Sequence, residues 1–299
     1  MAKQSERGRD TSVSIGAISK ATNIPINTLR TWERRYGFPV PQRTSGGHRV
    51  YETTVIAHLR LIARALRLGH RASQVVSQDQ QALAELVGQA AAVHPVPSEN
   101  LPDESKWLEA AMSFDANALT LLFRSVVAER GLLSFVSDYS HMFLRSVGNA
   151  WDNGRLKIEH EHFASEVLRD FLAGQWRPMS ASAKGPMVVC AALPEEQHYL
   201  ALHLAACIFT ARGYRVLFLG PNTPRDSLVA ATHSSGAQIV VITCSAYCDE
   251  LHVSDQLRLM RDELPDDTSI WVGGAGAPQN LDGVRYFGTL EMLKSALVT

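Results

Sequence analysis

Four short apolar runs punctuate the last third of the chain: MVVCAAL from Met187, VLFLG from Val216, IVVITCS from Ile239 and IWVGG from Ile270, with helical patterning between them. Strands apolar on both faces must be covered on both faces, and parallel strands need a crossover between them. The pattern therefore predicts repeated βαβ units and a Rossmann-like parallel sheet over residues 183–299. No G-x-G-x-x-G follows the first run; the loop there reads LPEEQHYLA, so the dinucleotide fingerprint is absent. Ligands of open parallel sheets lie beyond the carboxyl ends of the strands, and Glu196 and His198 stand in the first such loop.

Upstream, apolar residues recur at helical spacing from Trp107 to Trp176, with Leu108, Met112, Leu119, Leu122, Phe123, Val126 and Val127 on the pattern. This predicts a four-helix bundle over residues 105–182. Within it Gly148, Trp151 and Gly154 are expected to bracket a loop, with Glu161 and His162 on the helix that follows. Residues 79–104 turn into a Pro-, Ser- and acid-rich stretch that reads as a linker.

The first quarter differs in charge. Residues 1–78 hold 13 Lys and Arg against 4 Asp and Glu, leaving 16 against 26 for the remainder, so a net charge of -1 conceals a basic module on an acidic body. Such a module suits a polyanion partner. Ile15, Ile18, Ala21 and Ile24 give one helix a sticky face, and a second helix starts at Pro25 with Ile26, Leu29, Trp32 and Tyr36 facing inward. Asn27, Arg30, Thr31, Arg34 and Arg35 are left for its outer surface, as in a helix-turn-helix whose second helix enters a major groove. Gly46 and Gly47 then supply the positive backbone angles of a tight hairpin, a wing from which His48, Arg49 and Tyr51 project; with Arg43 they would reach the phosphate backbone.

The string TLRTWERRYGFPVPQRTSGGHRVYE resembles the signature of the MerR family over residues 12–75. Carried over position by position, the resemblance implies DNA contact by Thr28, Arg30, Arg34, Arg43, His48, Arg49 and Tyr51. The loop after the first strand resembles the D-x-H-x-x-G motif of cobalamin-binding domains, written here Glu196-x-His198-x-x-Ala201. The register of that family continues through the 41 residues 202–242, Thr243-Cys244-Ser245, the 27 residues 246–272, and Gly273-Gly274. It implies that His198 ligates cobalt from below, that Glu196 orients it, and that Thr243, Ser245, Gly273 and Gly274 admit the nucleotide tail. Trp151, nine residues, then Glu161-His162 resembles the helical cap over cobalamin in light-responsive repressors of the CarH type. In that family adenosylcobalamin promotes a DNA-bound oligomer in the dark, and light cleaves the cobalt–carbon bond and dissolves it.

Two positions depart from the pattern. Asp152 stands where light-sensing members carry a histidine, with His141, His160 and His162 the nearby alternatives, and Ala201 replaces a glycine. The alternative chromophores are haem or a bilin such as biliverdin, anchored by His198, Cys244 or Cys248.

The expectation is thus an α/β multidomain regulator: winged helix-turn-helix over 1–78, linker over 79–104, helical cap over 105–182 and cobalamin-binding sheet over 183–299. Its partners would be promoter DNA, a corrinoid and further copies of itself as dimer or tetramer, with no membrane. The polar start MAKQSERGRD lacks the apolar segment of a secretory signal, which points to the cytoplasm. Four cysteines with no C-x-x-C pair fit reduced thiols. Catalysis is not expected, since no residues remain for a substrate domain. A corrinoid carrier serving a methyltransferase is the enzyme-side alternative, which the basic winged domain opposes; a ligand-independent oligomerising repressor is the other.

Overall fold

The computed structural model describes residues 12–44, 46–92 and 104–297, and the chain divides into two compact units, 1–95 and 96–299. The polar N-terminal segment and residues 93–103 of the expected linker lie outside the described residues.

The first unit runs β1 (Ser12–Val13), α1 (Ile15–Thr22), α2 (Ile26–Tyr36), β2 (Gln42–Arg43), β3 (Arg49–Glu52), α3 (Val55–Arg67), α4 (Ala72–Val75) and α5 (Gln80–Ala92). Ser14 caps α1 by accepting from the Ala17 amide at 3.2 Å. Pro25 opens α2, and Gly37, in the left-handed region at φ +70, ends it. The three strands form an antiparallel sheet in the order β1-β3-β2, with Val13 opposite Tyr51 and Arg43 opposite Arg49. Ile18, Ile24, Leu29, Trp32, Leu59 and Ile62 form the core.

Three details differ from the sequence expectation. Ile26 is exposed, because the first turn of α2 projects past the core, and Tyr36 is only half-buried. Of the two wing glycines Gly47 takes a positive φ, +79, and Gly46 does not. Residues 80–92, read as linker, are a helix: Asp79 accepts from the Ala82 amide at 2.8 Å, and Leu83 and Val87, one turn apart, are buried. The Pro-rich composition farther along masked an alanine-rich segment of good helix propensity.

The second unit begins with α6 (Glu104–Met112), α7 (Ala116–Arg130), α8 (Leu132–Ser134), a π-helical turn (Phe135–Tyr139), α9 (Ser140–Asp152) and α10 (Ile158–Ser182). Edge-on aromatic contacts among Trp107, Phe123, Phe135, Phe143 and Phe171 fill the bundle. Gly148 and Trp151 lie within α9, not in a loop, so the connection is only residues 153–157. Then follow β4 (Met187–Ala191), α11 (Leu200–Ala211), β5 (Arg215–Gly220), α12 (Arg225–Ser235), β6 (Ile239–Thr243), α13 (Glu250–Glu263), β7 (Ser269–Gly273), β8 (Val284–Phe287) and α14 (Leu290–Ala296).

All five strands are parallel, in the order β5-β4-β6-β7-β8, so the topology reverses between β4 and β6. That reversal opens a crevice above the ends of β4 and β6. One face of the sheet shares a core with the helix bundle through α11, and the other packs on α12 and α13. No helix among the described residues is long and apolar enough to cross a membrane.

Candidate functional site

On the first unit, α2 exposes Arg30 and Arg34, with Thr28 half-buried beside them. Arg43 and His48 are exposed on the wing, where Arg43 donates to the Gly47 carbonyl at 3.3 Å. Arg49 is half-exposed, its Nε 3.2 Å from Glu33 Oε1. Tyr51 does not project: its ring is fully buried, and its hydroxyl donates to Glu33 Oε2 at 2.9 Å. Burial first, then the Glu33 hydrogen bond, push the phenol up to about 12. Tyr51 is thus withdrawn from the expected contact surface, because the face of β3 it shares with Arg49 turns toward Glu33 of α2 and is covered at Tyr51 but open at Arg49. Glu33, which the sequence reading passed over, binds both wing residues to α2.

On the second unit, the loop after β4 and the loop after β6 meet at the crevice. Glu196 is buried and carries four contacts. Oε1 accepts from the His198 amide at 2.6 Å and lies 3.1 Å from His198 Nδ1. Oε2 accepts from the Ser245 amide at 2.7 Å and from the Cys248 thiol at 2.9 Å. Burial alone would raise this carboxyl, but the hydrogen bonds, those from His198 foremost, outweigh it and hold it at about 2. An ionised acid at Nδ1 fixes the imidazole tautomer and turns Nε2 outward for a ligand. His198 is 39% exposed and lies on the Tyr247 ring, centroids 4.9 Å apart and planes within 27°.

Beside this pair an apolar cavity of about 170 Å³ runs between α11, β6, β7 and α14, lined in part by Ala201, Thr243, Trp271, Gly273, Gly274 and Phe287. A void of about 150 Å³ takes a benzene-sized ring, so the slot fits the aromatic end of a ligand. Gly274, at φ +108, has a further reason to be glycine: a Cβ would lie 2.2 Å from the Cys244 carbonyl. Ser245 serves through its backbone amide, and Ala201 stands exposed on the cavity lining.

Cys244 is buried, and the Cys248 thiol is pushed up by its hydrogen bond with Cys244, by burial and by Glu196. Cys248 is therefore no ready thiolate for a covalent chromophore. Cys248, read from the sequence as a chromophore anchor, is instead a hydrogen-bond partner of Glu196, a role that appears only once the fold closes the 52 positions separating them.

Trp151, half-buried, ends α9, and Glu161 and His162 begin α10, so all three gather at one end of the bundle. Glu161 Oε1 accepts from Ser165 at 3.0 Å and Oε2 lies 2.9 Å from His162 Nδ1. His162 is exposed, and Asp152 is half-buried next to Trp151.

Residues 13–76 match the model of the MerR HTH family regulatory protein. The chain is 29% identical over 269 residues to the HTH-type transcriptional repressor CarH of Myxococcus xanthus, covering 88% of this chain and 89% of that one. With the repressor CarA of the same organism it shares 25% over 283 residues, 93% and 91% of the two chains. Among solved structures, the monomethylamine corrinoid protein of Methanosarcina barkeri aligns with a TM-score of 0.50 at 13% identity, over 64% of this chain and 94% of that one; at that identity the likeness is one of fold. The first domain thus matches the MerR helix-turn-helix family over residues 13–76, and behind it the chain carries a domain that shares its fold with a solved corrinoid protein.

Proposed function

We propose that this protein is a transcriptional regulator, a repressor by its relatives, whose occupancy of promoter DNA is set by a corrinoid bound in the second unit, adenosylcobalamin foremost. The observation that carries the reading is the Glu196–His198 pair at the crevice between β4 and β6, beside a slot sized for an aromatic ring. A single imidazole suffices as protein ligand for a metal that brings its own equatorial ligands, as cobalt in a corrin does. When bound, an adenosylated corrinoid supplies a cobalt–carbon bond that light can break.

His198 would hold the metal from the lower face, with Glu196 keeping its Nδ1 occupied. Thr243, Gly273 and Gly274 would receive the aromatic tail, while Trp151, Glu161 and His162 would cover the upper face. Ligand binding shifts DNA occupancy only by its differential affinity for the assembly states of the chain, dimer or tetramer. On the DNA, Arg30 and Arg34 of α2 would enter the groove beside Thr28, with Arg43, His48 and Arg49 on the phosphates. Asp152 leaves the upper face without the adjacent histidine, so the product of illumination is expected to differ from one held by two imidazoles.

The test is to purify the chain with adenosylcobalamin, hydroxocobalamin, haem and biliverdin in turn, and to record spectra and elution volume before and after green light. Corrinoid co-elution with a light-dependent change in both is expected. His198→Ala is expected to keep some affinity and lose the spectrum of imidazole-bound cobalt. Co-elution of haem or biliverdin alone would replace the corrinoid, and an unchanged His198→Ala spectrum would remove the lower ligand from the reading.

A further inference from the structure

Two contacts outside the expected site bind the imidazole-bearing loop and the helix that follows it to the helix bundle. Arg169 of α10 donates from Nη1 to the Tyr199 hydroxyl at 3.1 Å. Tyr199 directly follows His198 and caps the start of α11. Farther along α10, Trp176 donates from Nε1 to Nδ1 of the buried His203 on α11 at 3.1 Å, and the Tyr199 and His203 rings lie 5.8 Å apart.

The Arg169 guanidinium is already held on its own helix, by Glu166 and by Asp170 at 3.1 Å. A side chain fixed by two carboxylates has little rotamer freedom left, so a shift of Tyr199 passes to the helix backbone instead of being absorbed by a swinging arginine. The helix is continuous from Ile158 to Ser182, and Arg169 follows His162 by seven residues, two turns along the same face. The other end of the loop is already anchored, since Glu196 takes hydrogen bonds from Ser245 and Cys248 of the β6 loop. Movement at His198 therefore has its outlet through Tyr199.

We infer that Arg169 and Tyr199 are positioning residues that transmit the placement of the His198 loop to the Glu161–His162 end of α10, a coupling that rests on the corrinoid reading above. Lower-face ligation and the arrangement of the bundle become one event through this strap.

The experiment is hydrogen–deuterium exchange on the full chain, with and without hydroxocobalamin, comparing wild type, Tyr199→Phe and Arg169→Lys, alongside corrinoid titration by absorbance. In wild type the corrinoid should slow exchange both in residues 194–199 and at the start of α10, residues 158–166. Tyr199→Phe should keep the loop protection, lose that at 158–166, and weaken corrinoid binding by roughly 2- to 15-fold, the equivalent of one side-chain hydrogen bond. Arg169→Lys retains a donor and should restore part of the α10 response, which a purely structural role would not predict. Protection at 158–166 that persists in Tyr199→Phe, or is absent from a wild type that does bind corrinoid, overturns the coupling while leaving the corrinoid reading standing. A wild type that takes up no corrinoid ends both.

Discussion

Glu33 is the one acid of α2, and it faces the wing, taking the Tyr51 hydroxyl on one oxygen and Arg49 on the other. The two partners should respond differently to mutation. Tyr51→Phe removes one buried hydrogen bond and is expected to lower stability by about 0.5–1.5 kcal/mol, read by melting, while leaving the salt dependence of DNA binding where it was. Arg49→Ala removes the cation proposed to meet a phosphate and should lower the slope of log affinity against log salt by about one. An Arg49→Ala slope equal to wild type would exclude the wing contact. Sequence reasoning placed both residues on the right strand and erred on the direction of the Tyr51 side chain alone. The pattern Arg49-Val50-Tyr51-Glu52 gives a period of two without saying which face meets the core, and only the pairing of Tyr51 with Val13 decides it.

At the scale of elements, the seam between α10 and α11 carries an acid-sensitive joint. His203 is buried, and burial first, then Arg169 and Arg177, lower its pKa from 6.5 to about 4, against a small opposing pull from Asp170. The unfolded chain takes up this proton below pH 6.5 and the folded chain only near pH 4, so between those values the unfolded state binds more protons and stability falls as pH falls. The loss is on the order of 3 kcal/mol across that window. His203→Gln keeps an acceptor for Trp176 and should flatten this part of the pH–stability curve; an unaltered curve would assign the acid loss elsewhere. Strands β4, β6 and β7 were legible because their apolar runs are buried from both sides, and the half-buried edge strand β5 because its run Val216–Gly220 is unbroken by a polar residue. The other edge strand, β8, was not, since its four residues Val-Arg-Tyr-Phe are interrupted by Arg285. The Glu196–His198 pair was legible as a motif, whereas the bond of Cys248 to Glu196, and Tyr199 and Arg169 altogether, entered only with the crossovers that bring distant segments together.

For the molecule as a whole, the second unit joins bundle and sheet in a shared core, while the first unit has a core of its own. The thiols of the second unit bear on how a pigment would be held there. Burial pushes Cys190 and Cys207 up to about 12, and Cys248 is held protonated against Glu196. Protonated sulfur is a poor nucleophile, so no covalent graft between pigment and polypeptide should form. Loaded with the corrinoid proposed above, unfolded in urea and passed through a membrane filter, the protein is expected to give up its tint to the filtrate and remain behind as bleached chain.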